Sequence, residues 1–386
     1  MCHLTPFSNV EPIIKKSGNT LNYITIVRFP LIVLVVALHS KIWINELVDA
    51  NTLSLTRFLS ELITQLTMLA VPTFFVISGY LFFKNMPTKG AFPLNIFVRK
   101  WQSRVYTLFI PYMLWNMFVV IVKGVQYQIS SRNGLQFLTW DSFIAGQPID
   151  FPLWYVRNLM LLCIFSPGIY WLLRYSFLRK LVMLIVLLNS ITLFFPIVLG
   201  VGINSFLYFM LGSAVALSGY ELSSVISRFG RVSLWGAIVF LFIKMMLFIF
   251  SIQGSVLCVQ ILSFITPIIR EIIDKIYVLC GIGAVLYLSI TYIEYKKQRS
   301  EHKKFVLSRK MQWISNSTFF ILAFHTPVPY TISELFLSRL LPFHFDLIHA
   351  LQLLLAPIIN IFICFVAYKL VLFCPKSVRK AITGHS

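Results

Sequence analysis

The sequence predicts an all-α, polytopic integral membrane protein of about ten transmembrane helices, on three observations. Of its 386 residues, 58% are hydrophobic and only 12% charged, and the mean hydropathy is +0.82, more apolar than a water-soluble domain of this length needs. Apolar runs long enough to cross a hydrocarbon core of about 30 Å recur from end to end. The net charge of +20 is spread over the connections between those runs, as membrane topology requires, and no basic domain exists in which a nucleic acid would bind.

The runs fall at about 23–43, 58–83, 105–122, 153–173, 181–198, 203–219, 234–250, 276–293, 313–330 and 347–372. With residues 1–22 on the cytoplasmic side, the lysine- and arginine-rich connections 84–104 and 294–312 and the tail 373–386 share that side. Glu46, Asp49, Asp141, Asp150, Glu271, Asp274, Glu334 and Asp346 all fall in the opposite set. The bias orients the chain with both termini in the cytoplasm. Residues 1–22 carry no apolar core, so they read as a cytoplasmic segment and not as a cleaved leader. The stretch 251–275 is apolar at 256–269, but an eleventh span would move a basic connection outside. It therefore reads as an interfacial or re-entrant helix broken near Pro267. Residues 23–372 form one membrane domain without a detectable internal repeat. The cysteines at 2, 163, 258, 280, 364 and 374 form no CxxC pair, and they suggest neither a disulfide framework nor a metal site.

The first span carries Arg28 and His39 with only apolar residues between them. Eleven residues at about 100° each return to within roughly 20° of the starting direction, so both side chains leave one helix face, about 16 Å apart along the axis. Arg28 also suits a cation snorkelling to the headgroups, and His39 a helix contact, but polar groups at bilayer depth usually serve a pathway or a reaction.

Further along, Ser78 and Gly79 interrupt the aromatic run VPTFFVISGYLFF, where small residues let a neighbouring backbone approach closely. Lys84, Lys89, Arg99, Lys100 and Arg104 follow with no acidic residue between them. They serve either as a positive-inside signal or as a landing site for an anionic cytosolic ligand such as a nucleotide phosphate. The fourth span opens PLWYVRNLM: Trp154 and Tyr155 suit an interface belt or a sugar-stacking platform, and Arg157 lies one turn inside the outer boundary. Lys244, near the centre of the seventh span, must find a partner or reach water. In the ninth span His325 lies about 18 Å above Trp313, a depth close to that of His39.

These elements, Arg28 with His39, FFVISGY with Ser78 and Gly79, the basic segment with Arg99, Lys100 and Arg104 leading to Pro111 and Tyr112, Leu153-Trp154, and SNSTFFILAFHTP with Ser317, His325 and Pro327, stand in an order that resembles the membrane acyltransferase-3 family. One departure is visible: many relatives carry another basic residue before the Pro-Tyr pair, where this chain has Tyr106 and Thr107.

The resemblance implies transfer of an acyl group, usually acetyl from acetyl-CoA, to a hydroxyl of a surface polysaccharide or its lipid-linked precursor at the bacterial inner membrane. It further implies His39 as general base, with His325 next by depth, and Arg28 holding a donor phosphate or placing the acyl group. Arg99, Arg104 and Ser78 would serve the donor, and Trp154 and Arg157 the acceptor. No bound cofactor, metal or nucleic acid is required. A transporter or flippase of a lipid-linked glycan is the competing class, and it would predict inverted repeats.

Overall fold

The computed structural model describes residues 18–45, 48–49, 52–129, 148–198, 200–253, 267–299, 305–342 and 345–384. Residues 1–17, residues 130–147 with Asp141, and 254–266, most of the stretch read as re-entrant, lie outside them.

The chain runs through α1 (Gly18–Ser40), a single turn α2 (Ile42–Asn45), α3 (Leu55–Thr67), α4 (Ala70–Phe83), α5 (Leu94–Arg104), a π turn (Val105–Phe109) and α6 (Ile110–Ile129). After a 3-10 turn (Phe151–Leu153) come α7 (Trp154–Ile164), α8 (Ser166–Leu173), α9 (Ser176–Thr192), a two-stranded antiparallel hairpin pairing Ile197–Val198 with Val201–Gly202, α10 (Ile203–Leu217) and α11 (Leu222–Gln253). The last part comprises α12 (Pro267–Gln298), α13 (Arg309–Asn316), α14 (Thr318–Phe324), a second π turn (Thr326–Tyr330), α15 (Thr331–Leu340), α16 (Asp346–Val371) and α17 (Lys376–Thr383).

Six stretches among the described residues are long and apolar enough to cross a membrane, or seven if the pair α7 and α8, bent by 61°, counts as one. The apolar runs of the sequence predict about ten. The difference has local causes: α9 and α10 run only 17 and 15 residues, and the ninth expected span is broken at Ser317 and again at His325. The acidic and basic residues 270–275 are also not in a separate outer element. They occupy the opening turns of α12, a helix of 32 residues.

Between Arg28 and His39 α1 is apolar all round, and the helix is correspondingly central, packing on α3, α4, α12, α13, α14 and α16. Tyr23, Ile24, Val27, Leu31, Ile32 and Val36 are buried in the main core. The tightest helix pair is α4 with α10. A Cβ on Gly79 would lie 2.1 Å from the Phe209 carbonyl oxygen, and one on Gly212 1.9 Å from that of Val76, so the two backbones touch because neither position has a side chain. α16 turns an apolar stripe outward, as a lipid-facing helix does: Leu354, Ile358 and Phe362 recur about one turn apart and are all exposed.

Lys244 finds its partner within the bundle. Its ammonium pairs with Asp274 of α12, lies 3.3 Å from Met68 Sδ and stands 5.1 Å from the centre of the Tyr277 ring. At the start of α3, the Asp346 carboxylate accepts from the backbone N–H groups of Leu55 and Thr56 at 2.8 and 3.1 Å. It thereby satisfies free donors of that helix and ties the first turn of α16 to it.

Candidate functional site

A cavity of about 690 Å³ lies along one face of α1, within the size range of small-molecule sites. From α1 it is lined by Arg28, Ile32, Val35, Leu38 and His39, which at about 100° per residue fall on one face of the helix. Ser78 of α4, Arg104 of α5, and Trp154 and Tyr155 of α7 belong to its polar and aromatic lining, together with Asn204, Ser205 and Tyr208 of α10 and others among apolar side chains. The lining contains two arginines and one histidine and, among the described residues, no Asp or Glu.

His39 stands at one end. Its Nδ1 lies 2.8 Å from Nε2 of His325, and the Phe151 ring meets it edge-on with centroids 6.0 Å apart. His325 is completely buried and its Nδ1 is 2.9 Å from the carbonyl oxygens of both Ile321 and Leu322. Carbonyl oxygens only accept, so that Nδ1 carries a hydrogen. The Nε2 of a neutral His325 then holds a lone pair and accepts from His39 Nδ1–H. This assignment leaves Nε2 of His39 as an unprotonated nitrogen on the side chain that lines the cavity.

The local backbone explains how His325 is held there. Pro327 and Pro329 interrupt regular α-helical hydrogen bonding after α14, and the chain turns instead through a π turn in which Tyr330 N–H donates to His325 O at 3.0 Å. The Asn360 amide, from α16, donates to the same carbonyl at 3.0 Å.

The other end of the cavity is basic. Arg28 lies within electrostatic reach of both Arg104 and Tyr155, and the Tyr155 hydroxyl shares a hydrogen bond of 3.0 Å with Ser78 Oγ. Two guanidinium groups near one another without a carboxylate in the lining favour an anion between them, with bidentate geometry suited to phosphate or carboxylate. Pro111, lacking an N–H, leaves the Thr107 carbonyl without its α-helical donor, and the π turn Val105–Phe109 forms here, with Thr107 and Leu108 lining the cavity.

The structure therefore brings Arg28, His39, Ser78, Arg104 and Trp154 to one cavity, with His325 directly behind His39. It separates two of the expected residues from it. Arg99 is exposed on α5 outside the lining. Arg157 also lies outside, its Nη1 donating to Gly200 O at 3.2 Å and to Asn158 Oδ1 at 3.1 Å.

Sequence reasoning missed Tyr155 as the partner of Ser78, and it gave Asp150 no role. Asp150 is 2% exposed; its N–H donates to Asn116 Oδ1 at 3.1 Å, and its Oδ1 accepts from Thr326 Oγ1 at 3.2 Å. It thus ties the turn carrying Phe151 to the residue after His325. An acidic residue in an outer loop offered no signal for that contact.

The family model of an acyltransferase domain, Acyl_transf_3, matches residues 21–369, which hold every cavity residue named above. No curated protein and no solved structure matches the chain. The match runs from the first residues of α1 almost to the end of α16, and the chain belongs to the acyltransferase-3 family of membrane acyltransferases.

Proposed function

We propose that this protein moves an acetyl group from acetyl-CoA to a hydroxyl of a cell-surface polysaccharide or a lipid-linked glycan precursor, with His39 as general base. The observation that carries the reading is that one cavity joins an arginine pair, fit for an anionic donor, to a histidine with a bare ring nitrogen. Arg28 and His39 are about 16 Å apart along α1, so a donor held by its phosphates at Arg28 and Arg104 needs a long, thin arm to present its thioester at His39.

In the reaction His39 Nε2 takes the proton of the acceptor hydroxyl as its oxygen attacks the thioester carbonyl. The tetrahedral species collapses, the C–S bond breaks, and the imidazolium returns the proton to the departing thiolate. The products are the O-acetyl ester and the free thiol, with His39 neutral again. While His39 is charged, its Nδ1–H bond to His325 becomes charge-assisted and stronger, so His325 holds the ring and steadies its cation. The arginines then face the cytoplasm of a bacterial inner membrane, in agreement with the basic connections, and the acceptor reaches His39 beside the exposed Phe151.

The test is reconstitution of the purified chain in liposomes with acetyl-CoA labelled in the acetyl group, together with mass spectrometry of surface glycans from a deletion strain. Loss of an O-acetyl mass increment in that strain, restored by the gene, is the expected result. Unchanged glycans and no thiol release from acetyl-CoA in liposomes would refute the reading.

A further inference from the structure

The helix α17 lies beyond the residues that the family model matches, yet its end is part of the cavity wall. Thr383 and Gly384 line the cavity together with Arg28, Arg104, Thr107 and Leu108. Thr383 is 2% exposed, its hydroxyl donating to Arg379 O at 2.9 Å, and the Ile382 carbonyl accepts from Trp115 Nε1 of α6 at 3.0 Å.

Gly384 is doubly constrained. It ends α17 in the left-handed region, φ +68°, where its N–H donates to Lys380 O at 2.9 Å. A Cβ there would lie 2.5 Å from the Thr107 carbonyl oxygen and 3.6 Å from Pro111 Cγ. The oxygen it would strike is the one that Pro111 leaves without an α-helical donor. The glycine therefore seats the end of α17 against the π turn after Arg104, and any side chain must displace one or the other.

We propose that α17 belongs to the donor-binding site: Thr383 and Gly384 wall the arginine end of the cavity and set the position of Arg104 against the anionic portion of the thioester donor. This rests on the acetyl-CoA reading above, and it assigns a binding role to a segment whose basic residues suggest only topology. A helix that merely covered the bundle would contribute to stability without bearing on donor affinity.

The experiment measures acetyl-CoA affinity by calorimetry and thermal unfolding without donor, on the full chain in detergent. Gly384→Val, Thr383→Val and Trp115→Phe are compared with wild type. Gly384→Val is expected to weaken acetyl-CoA binding at least tenfold. Thr383→Val and Trp115→Phe, which leave the left-handed glycine intact, are expected to weaken it several-fold while unfolding within a few degrees of wild type. If Gly384→Val does not fold, the other two decide the matter. Affinity within twofold of wild type in the variants that fold, or affinity that falls only in step with unfolding temperature, would overturn the assignment while leaving the acyl-transfer reading in place. A wild-type chain that does not bind acetyl-CoA would remove both.

Discussion

Nδ1 of His39 lies 2.8 Å from Nε2 of His325, across 286 residues of sequence. Because the carbonyls of Ile321 and Leu322 claim the other nitrogen of His325, the pair has a direction, with His39 donating and its own Nε2 left open to accept a proton. Neither histidine alone specifies this.

The first consequence concerns His39 itself. Glutamine keeps hydrogen-bonding capacity but takes no proton near neutral pH, so His39→Gln is expected to lose activity by about two to four orders of magnitude, as His39→Ala does. Protein abundance should stay near wild type, since the rest of α1 remains strongly apolar. Acetyl transfer near the wild-type rate in the glutamine variant, at matched abundance, would show that His39 orients the substrate and that another group takes the proton.

His325 is expected to behave differently. His325→Ala removes the acceptor of the His39 Nδ1–H and opens a hole in a fully buried site, so both catalysis and stability should suffer. One lost hydrogen bond to a group that becomes charged is worth about 1.5–3 kcal/mol, or roughly ten- to a hundredfold in rate. The loss should appear in kcat with little change in KM for the donor. A larger effect on donor KM than on kcat would contradict a role behind His39.

The arginines divide by their placement. Arg104→Ala and Arg28→Ala are expected to raise KM for acetyl-CoA by at least tenfold, and Arg28→Lys to recover little if the contact is bidentate. Arg99→Ala should change KM by less than twofold because its side chain lies exposed outside the cavity. Steady-state kinetics in liposomes at fixed acceptor concentration separates the three, and equal effects at Arg99 and Arg104 would remove the distinction.

Ser78 and Gly79 are adjacent and have separate duties. Gly79→Ala puts a methyl group where the Phe209 carbonyl oxygen stands, and the forced separation of α4 and α10 is expected to cost about 1–3 kcal/mol, read as a lower unfolding temperature. Ser78→Ala removes only the bond to Tyr155; it should unfold near the wild-type temperature while donor use falls. The reverse pattern would exchange the two roles.

The amino-acid sequence by itself determined the membrane class, the order of the family elements, and the common face of Arg28 and His39. All three follow from local rules: hydropathy is additive along a span, and an eleven-residue separation on a helix returns to one direction whatever surrounds it. The same rules do not place the interruptions, because a window of apolar residues does not register the break at Ser317 or the 61° bend between α7 and α8. Only the tertiary structure decided which polar groups meet. Arg99 and Arg104 look equivalent in an acid-free segment, yet one is exposed and the other lines the cavity. The depth of Lys244 in its span demands a partner, but only the packing of α11 on α12 supplied Asp274. The tautomer of His39 depends on two carbonyls in α14, and the seat of Gly384 depends on a carbonyl freed by Pro111 of α6. Such contacts join segments far apart in the chain, where no periodicity relates one residue to the other, so their geometry exists only once the helices have packed.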